Sequence, residues 1–511
     1  MIKKMQYLWA LSVIIFVMIS IFALSPAFTI HHYRQAQTAM TAIYLPIDGF
    51  HLNYSTPIMG FPWSVPLEFP FFQILANFIH QFTGLNLIVS GKCINILLHT
   101  VNNFLIIQIF KKKKLDTGIA YCGLIFYNLF PFYLIFDNTF LIDPLSLFLG
   151  ILSGYFLVSY LNEKGKWVNA LLFLVMAVMT GLCKSTMFIG VLAPLSALLL
   201  VEEILHTGSI KNIFNFSYPS VKRVYISAFL FITSFIVMYT WVKYSDGIKM
   251  QNPFADKWTS ANTVDWNFGT LQQRLSFSNW KQYLTYSMFA HPVSYLLIIA
   301  GIISFLFFAE KKEKMILLVL FILFISPLIF FFNLFFVHTY YSTANMIFFC
   351  MILGLIIYVL MKQDQQVIKL GGAVLGILLL SFGLYRDYVF KNQILKNEPE
   401  PGVFGKLQEI NFNPGPNDIL VIVDNSRDPY LQYYFKCRGI NINRGEYEQF
   451  GKEDKLYKLS GTSTIRMICI VSKEQLEVLP DEFTGILKGE ITHKSMINEA
   501  GSNYYHNFFW Y

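Results

Sequence analysis

Charge is what this chain has least of. Only 14% of its 511 residues are Asp, Glu, Lys or Arg, against 55% hydrophobic and 17% aromatic, whereas soluble domains carry about a quarter charged residues. That scarcity excludes an ordinary soluble protein. No CxxC or HExxH spacing occurs, which removes the common zinc signatures. No P-loop or GxGxxG precedes a helical stretch, which removes the usual nucleotide cradles. Internal repeats of the kind found in transporters are absent as well. Of the six cysteines, Cys93, Cys122, Cys183 and Cys350 lie in or beside apolar runs, where a thiol acts as a small hydrophobe. Cys437 and Cys469 lie in a more polar C-terminal region and form a candidate pair.

What fills the chain instead is apolar runs of the roughly 20 residues needed to cross a bilayer. They fall at about 7–24, 87–110, 115–135, 144–161, 167–183, 185–203, 224–242, 293–309, 315–336, 343–361 and 367–386, so the expectation is an all-α polytopic membrane protein with about eleven transmembrane helices. Residues 69–83 are apolar on one side but interrupted by Asn77, His80 and Gln81, which predicts a helix lying in the interface. Lys3-Lys4 followed by an apolar stretch imitates a secretory signal, but the run is long for one and reads better as the first span.

Lys and Arg gather at Lys3-Lys4, Lys111 to Lys114, Lys164 with Lys166, Lys222-Arg223, Lys311, Lys312 and Lys314, and Lys362. Under the positive-inside rule these loops are cytoplasmic. The N-terminus is then cytoplasmic, and the first loop (25–86), the loop 243–292 and the C-terminal tail face outward. The net charge of +8 thus belongs to topology and implies no nucleic-acid partner. From about residue 391 the composition becomes that of a soluble domain. A turn at Asn413 to Asn417, strands at 419–423 and 465–471 and a helix from Leu431 to Arg438 predict a small α/β unit over 391–511, beside a membrane domain over 1–390.

Ionisable residues near membrane depth cost about 2.5–3.5 kcal/mol each on insertion scales and usually serve a function. Arg34, Glu68, Asp137, Asp143, Lys184 and His338 are such residues. Each also has a plainer reading. Asp143 can cap the helix that begins at Pro144, Asp137 can be a solvated turn residue, and Glu68 can cap the interfacial helix. Lys184 can snorkel or offer its charge to a phosphate. The tyrosines after His338 fit an interfacial aromatic belt, and adjacent His31 and His32 read as interfacial polar groups rather than metal ligands. Trp258, Trp266, Trp280, Asp256, Asp265 and Arg274 of the second long loop suit either an interfacial loop or an acceptor sugar.

Tyr33-Arg-Gln-Ala-Gln-Thr38, Leu67-Glu-Phe-Pro70, Phe140-Leu-Ile-Asp-Pro-Leu145, Cys183-Lys184 and His338-Thr-Tyr-Tyr341 follow one another in an order that resembles bacterial GT-C membrane glycosyltransferases. Within them the likeness is to the dolichyl-phosphate-mannose-protein mannosyltransferase-like group, kin to the aminoarabinose transferase of lipid A, over about residues 1–390 and more faintly from Asp424 to Gly439. The resemblance implies inverting transfer of a sugar from a polyprenyl-phosphate carrier to a glycan, lipid or protein acceptor at the outer face of the cytoplasmic membrane. It implies no cofactor, and the lack of an acidic pair in the first loop disfavours a metal without excluding one. An acid of the first loop is expected as general base, but Gln37 stands where that acid is common. The base then falls to Glu68, with Asp143 or Asp48 as alternatives. Arg34, Lys184, His338 and Tyr341 are the implied phosphate or carrier contacts, and Gln35, Gln37 and Asp137 contact the sugar or shape the loop. A transporter of lipid-linked sugars and an inactive homologue are the rival readings.

Overall fold

The structure is a computed structural model that describes residues 1–162, 166–206, 213–287, 292–394, 407, 410, 412–423, 429–443, 460–472, 476–478, 491–498 and 505–510. Among the described residues, seven helices are long and apolar enough to cross a membrane: α1 (Ile2–Phe22), α4 (Leu87–Lys112), α7 (Asp143–Asn162), α9 (Ser185–Leu205), α10 (Pro219–Lys249), α15 (Lys311–Phe330) and the first part of α18 (Gln366–Ile394). Four shorter apolar helices complete the set: α5 (Thr117–Leu129), α8 (Trp167–Cys183), α14 (Pro292–Phe308) and α17 (Met346–Lys362). Every apolar run in the sequence thus has its helix, in a multi-pass membrane protein.

Two expected spans are broken. The run 115–135 divides where Phe130 turns extended (φ −73°, ψ 128°) and Pro131 starts a separate helix, α6 (Pro131–Phe136); a residue before proline is biased out of the helical region. The run 315–336 divides at Phe331 (φ −117°), four residues after the in-helix Pro327, and resumes as α16 (Phe332–Val337). Both breaks fall at one end of the bundle.

The polar loops are helical. α2 (His32–Asp48) and α3 (Phe71–Thr83) lie in the first loop, and α11 (Val264–Phe268), α12 (Leu271–Leu275) and α13 (Phe277–Ser287) lie in the second. α3 buries Phe72, Gln73 and Ala76 while Ile74, Phe78 and Phe82 stay exposed, a spacing of four that forms one apolar stripe and suits an interfacial helix.

The two ends of the bundle differ in chemistry. At one end Lys113 pairs with Glu202, Arg223 with Glu203, and Lys362 with Glu310 and Glu313, while the Lys312 ammonium donates to the Lys114 carbonyl at 3.4 Å. α7 starts at the opposite end, with Asp143, and runs 20 residues to Asn162 at the basic end, a rise of about 30 Å.

The tail forms a mixed five-stranded sheet of β1 (Asp418–Val423), β2 (Arg438–Ile442), β3 (Thr464–Ser472), β4 (His493–Asn498) and β5 (Tyr505–Trp510) in the order β2-β1-β3-β5-β4. β1 is parallel to both β2 and β3, and β5 is antiparallel to β3 and β4. The expected helix 431–438 is shorter: α19 (Tyr430–Phe435) stops as Lys436 adopts a left-handed φ of 49°, and Arg438 already belongs to β2. Asp424 to Asp428, part of the fainter likeness in the tail, lie outside the described residues. Cys437 and Cys469 are buried and are not bonded to one another. They do not pair because Cys437 leads into β2 and Cys469 lies in β3, with β1 between. Two strand spacings of about 4.8 Å each exceed the roughly 7 Å limit for bridged Cα atoms.

The sheet is fused to the first loop. Met59 forms a β-bridge with Ile440, and the amides of Gly439 and Asn441 donate to the carbonyls of Pro57 and Ile58 at 3.0 and 3.2 Å. One apolar cluster contains Met40, Ile58, Met59, Trp63 and Val65 together with Ile419, Val421, Ile440, Ile468 and Phe509.

α5 and α17 approach so closely that a Cβ on Gly354 would lie 2.1 Å from the Gly123 amide nitrogen. Small residues are what allow membrane helices this contact. Gly354→Ala is expected to destabilise the protein by about 1–3 kcal/mol through overpacking, read as a lowered Tm in detergent; an unchanged Tm would show that the helices do not meet there.

Candidate active site

The segment Pro66–Phe69 is held on three sides. Ser245 on α10 donates its hydroxyl to the Pro66 carbonyl, the Trp241 indole donates to the Leu67 carbonyl at 3.3 Å, and the Phe69 amide donates to the Leu182 carbonyl at 2.9 Å. The Tyr54 hydroxyl donates to the Glu68 carbonyl at 2.5 Å and accepts the Leu67 amide at 3.1 Å. Glu68 is thereby presented beside α2, whose Ala36, Ala39 and Ala42 are fully buried and let the helix sit close. Its carboxylate Oε1 pairs with Arg34 Nη2, while Arg34 Nη1 donates to Gln37 Oε1 at 2.5 Å. Glu68 does not cap α3, whose N-cap is Pro70 with no side-chain bond.

A second pair lies alongside. Lys184 is the extended residue (φ −159°, ψ 105°) between α8 and α9, and its ammonium pairs with Asp143 Oδ1 at the start of α7. The same ammonium stands 3.9 Å from the Tyr341 ring centroid and 5.1 Å from that of Tyr340, within cation–π range. Arg34, Asp143 and Lys184 are buried, and Glu68, His338 and Tyr341 are half-buried at the rim. Asp143 Oδ2 and Gln37 Nε2 are buried without a hydrogen-bond partner among the described residues.

Aromatic and imidazole rings close one side. The His338 ring lies 5.9 Å from Tyr33, 5.8 Å from Trp266 and 6.2 Å from Tyr341, and His31 Nε2 is 3.0 Å from the Thr339 hydroxyl. Trp266 reaches this place because its carbonyl accepts Asn333 Nδ2 at 2.8 Å. These groups act on one another electrostatically. Burial lowers the His338 pKa to about 4, with Arg34 and Lys184 acting in the same direction. His31 falls to about 3, through burial and then His338 and His32. Burial raises the Tyr341 hydroxyl well above its ordinary range, with Arg34 opposing and Glu68 and Asp143 adding.

Six of the residues singled out in the sequence therefore meet: Arg34, Glu68, Asp143, Lys184, His338 and Tyr341, with Gln37 on Arg34. Two do not. Asp137 is buried in another network, where Oδ2 is 2.6 Å from His99 Nδ1; as the C-cap of α6 it points into the bundle. Gln35 contacts backbone, donating to the Ile30 carbonyl and accepting the Phe140 amide, both at 2.8 Å, and so ties two loop segments together. Asp48 pairs with Arg438 in the tail at 2.7 Å, away from the cluster. Tyr33 and Tyr340 stand inside quoted motifs and were within reach of sequence reasoning; Tyr54, Trp241 and Ser245 carry no sequence signal. No group of three or more His, Cys, Asp or Glu among the described residues has the geometry to hold a metal ion.

No family model matches the chain, and no curated protein matches it. Among solved structures, ArnT from Cupriavidus metallidurans in the apo state aligns over 98% of this chain and 97% of that one, with TM-score 0.57 and 11% identity. The chain has the GT-C fold. The same ArnT bound to undecaprenyl phosphate aligns over the same shares, with TM-score 0.54 and 11% identity. Within the GT-C fold of this chain, the paired cluster sits at the end of the bundle away from the lysine-rich end, under the tail sheet.

Because the folded protein holds His338 and His31 neutral, the unfolded chain binds more protons between pH 6.5 and about 4, and stability falls as pH falls through that window. Tm is expected to drop over this range, and His338→Gln to flatten the drop; an equal slope in the variant would remove His338 as its source.

Proposed function

We propose that this protein is an integral membrane glycosyltransferase that moves a sugar from a polyprenyl-phosphate carrier to a hydroxyl acceptor, with inversion, on the outer face of the cytoplasmic membrane. The observation that carries the reading is the meeting of two cations and two carboxylates, from four segments between residues 34 and 184, with His338 and Tyr341 beside them. Buried charges are costly and usually serve a function, and this set has the parts a phosphate-leaving reaction needs. The likeness in fold to ArnT bound to undecaprenyl phosphate supports a lipid-linked donor, and the lysine-rich opposite end of the bundle supports an outward-facing site.

In this reading Arg34 and Lys184 hold the donor phosphate. A guanidinium binds phosphate through a planar fork, and fixed cations stabilise charge that develops on the leaving oxygens. Glu68, half-buried at the rim, takes the proton of the acceptor hydroxyl. That oxygen forms its bond to the anomeric carbon from the face opposite the departing phosphate. Asp143, buried and tied to Lys184, orients that ammonium, and its free Oδ2 is available to a sugar hydroxyl. Gln37 cannot accept a proton but offers Nε2 as a donor. Tyr33, Tyr340 and Trp266 supply ring faces for the sugar.

Purified protein in lipid is tested with a panel of radiolabelled polyprenyl-phosphate sugars. Glu68→Gln is expected to lower transfer by about 10²–10⁴-fold, the usual contribution of a general base, in a variant that remains folded. Full activity in a folded Glu68→Gln variant would transfer the role of base to Asp143, and no transfer by the wild type from any donor would overturn the function.

A further inference from the structure

Arg34, proposed to bind phosphate, already has partners within the protein. Its Nη2 is taken by the Glu68 carboxylate and its Nη1 by the Gln37 amide oxygen at 2.5 Å, so the outward fork of the guanidinium is filled. Lys184 is likewise held by Asp143. The two pairs bring formal charge to zero. A polyprenyl-phosphate sugar, a phosphodiester, carries one negative charge, and the polyprenyl phosphate released carries nearly two. The site meets more negative charge after transfer than before it, with no further cation in the two pairs to answer it.

We infer that Glu68 and the donor phosphate exchange places on Arg34, so that proton acceptance by Glu68 and stabilisation of the leaving phosphate are a single linked event. This rests on the glycosyltransferase reading above. The acceptor O–H proton passes to a Glu68 carboxylate oxygen, and the acceptor oxygen bonds to the anomeric carbon. The bond between that carbon and the phosphate oxygen breaks, with its electron pair retained on the phosphate. Glu68, now neutral, no longer competes for Arg34, and the Nη2 it releases turns to the new dianion in a charge-assisted bond. Arg34 thus reports the protonation of the base to the leaving group. Gln37 is the positioning residue: its uncharged oxygen holds Arg34 Nη1 in both states, and its Nε2 has no partner among the described residues.

The other titratable or charged groups facing Glu68 are Tyr54 of its own loop, Asp143 of α7, Cys183 of α8, Lys249 of α10 and Tyr341. Lys249 is engaged by Asp246 at 3.4 Å and by the Trp258 carbonyl at 3.1 Å, which leaves Arg34 as the cation that Glu68 contacts.

Calorimetric titration of undecaprenyl phosphate into the full-length protein in nanodiscs, in two buffers of different ionisation enthalpy, reads both affinity and protons taken up. The wild type should take up close to one more proton than Glu68→Gln, because a phosphate on Arg34 forces Glu68 to protonate. Glu68→Gln should bind the ligand at least about tenfold more tightly, since an amide competes less for Arg34, while losing transfer. Glu68→Asp, which keeps the charge on a shorter arm, should retain proton uptake and serves where the amide variant does not fold. Equal or weaker binding by folded Glu68→Gln, or equal proton uptake in wild type and variant, overturns the exchange while leaving the glycosyltransferase reading intact. Absence of wild-type binding overturns both.

Discussion

Two carboxylates paired with two cations, with Arg34, Asp143 and Lys184 buried and Glu68 half-buried, set the terms for everything around them. Taking away one partner of a buried pair leaves a charge uncompensated, at a cost of about 3–5 kcal/mol, so the four segments that supply Arg34, Glu68, Asp143 and Lys184 must keep their positions together. The chain meets that demand with bonds that have no other evident purpose. Trp241, Ser245 and Leu182 fix the Glu68 segment from α10 and α8, and Gln35 ties α2 to the turn before α7 through the Phe140 amide. The extended backbone of Lys184 exists because α8 ends and α9 begins there, which turns a side chain from the middle of an apolar hairpin into the site.

A long polar loop at a membrane surface has backbone groups that lipid cannot satisfy. Here the tail sheet satisfies part of them. β2 presents Gly439, Ile440 and Asn441 to residues 57–59 of the first loop, and apolar side chains of both pack into one cluster. Arg438 completes the join, pairing with Asp48 and standing 5.2 Å from the Tyr44 ring centroid. The tail is therefore the support on which the loop carrying Arg34 and Glu68 is shaped, and residues far apart in sequence together fix the site's outer wall.

The membrane spans were legible because twenty apolar residues in succession have few other stable uses. Their interruptions were not equally so. Pro131 announces the break at Phe130, whereas Phe331 breaks its span four residues after Pro327, a proline that the helix itself carries without ending there. In the tail, the strands at 419–423 and 465–471 read clearly because Ile419 to Val423, and Ile465 with Met467 to Ile470, are buried. β2 was hidden behind a helical pattern that Lys436 ends, and β4, with His493, Lys494 and Ser495, is a polar edge strand. At the site, likeness in the order of short motifs named the residues that meet, while Asp137 and Gln35 went elsewhere. Which buried polar group a side chain will satisfy is a property of its neighbours in space: Asp137 found His99, and Gln35 found two backbone groups.

Gln37 is the residue whose meaning changes most once the geometry is known. Where the resemblance leads one to expect an acid, the amide instead clamps Arg34. A carboxylate at position 37 would set three negative groups against Arg34 and Lys184, and like charges sharing a site drive one of them to protonate. With glutamine there, Arg34 keeps a neutral acceptor on Nη1 and a single carboxylate on Nη2, so the charges of the two pairs remain balanced without protonating any group. The amide at 37 and the presence of Glu68 on Arg34 are thus two halves of one arrangement, in which the carboxylate beside the guanidinium is supplied from the far end of the loop.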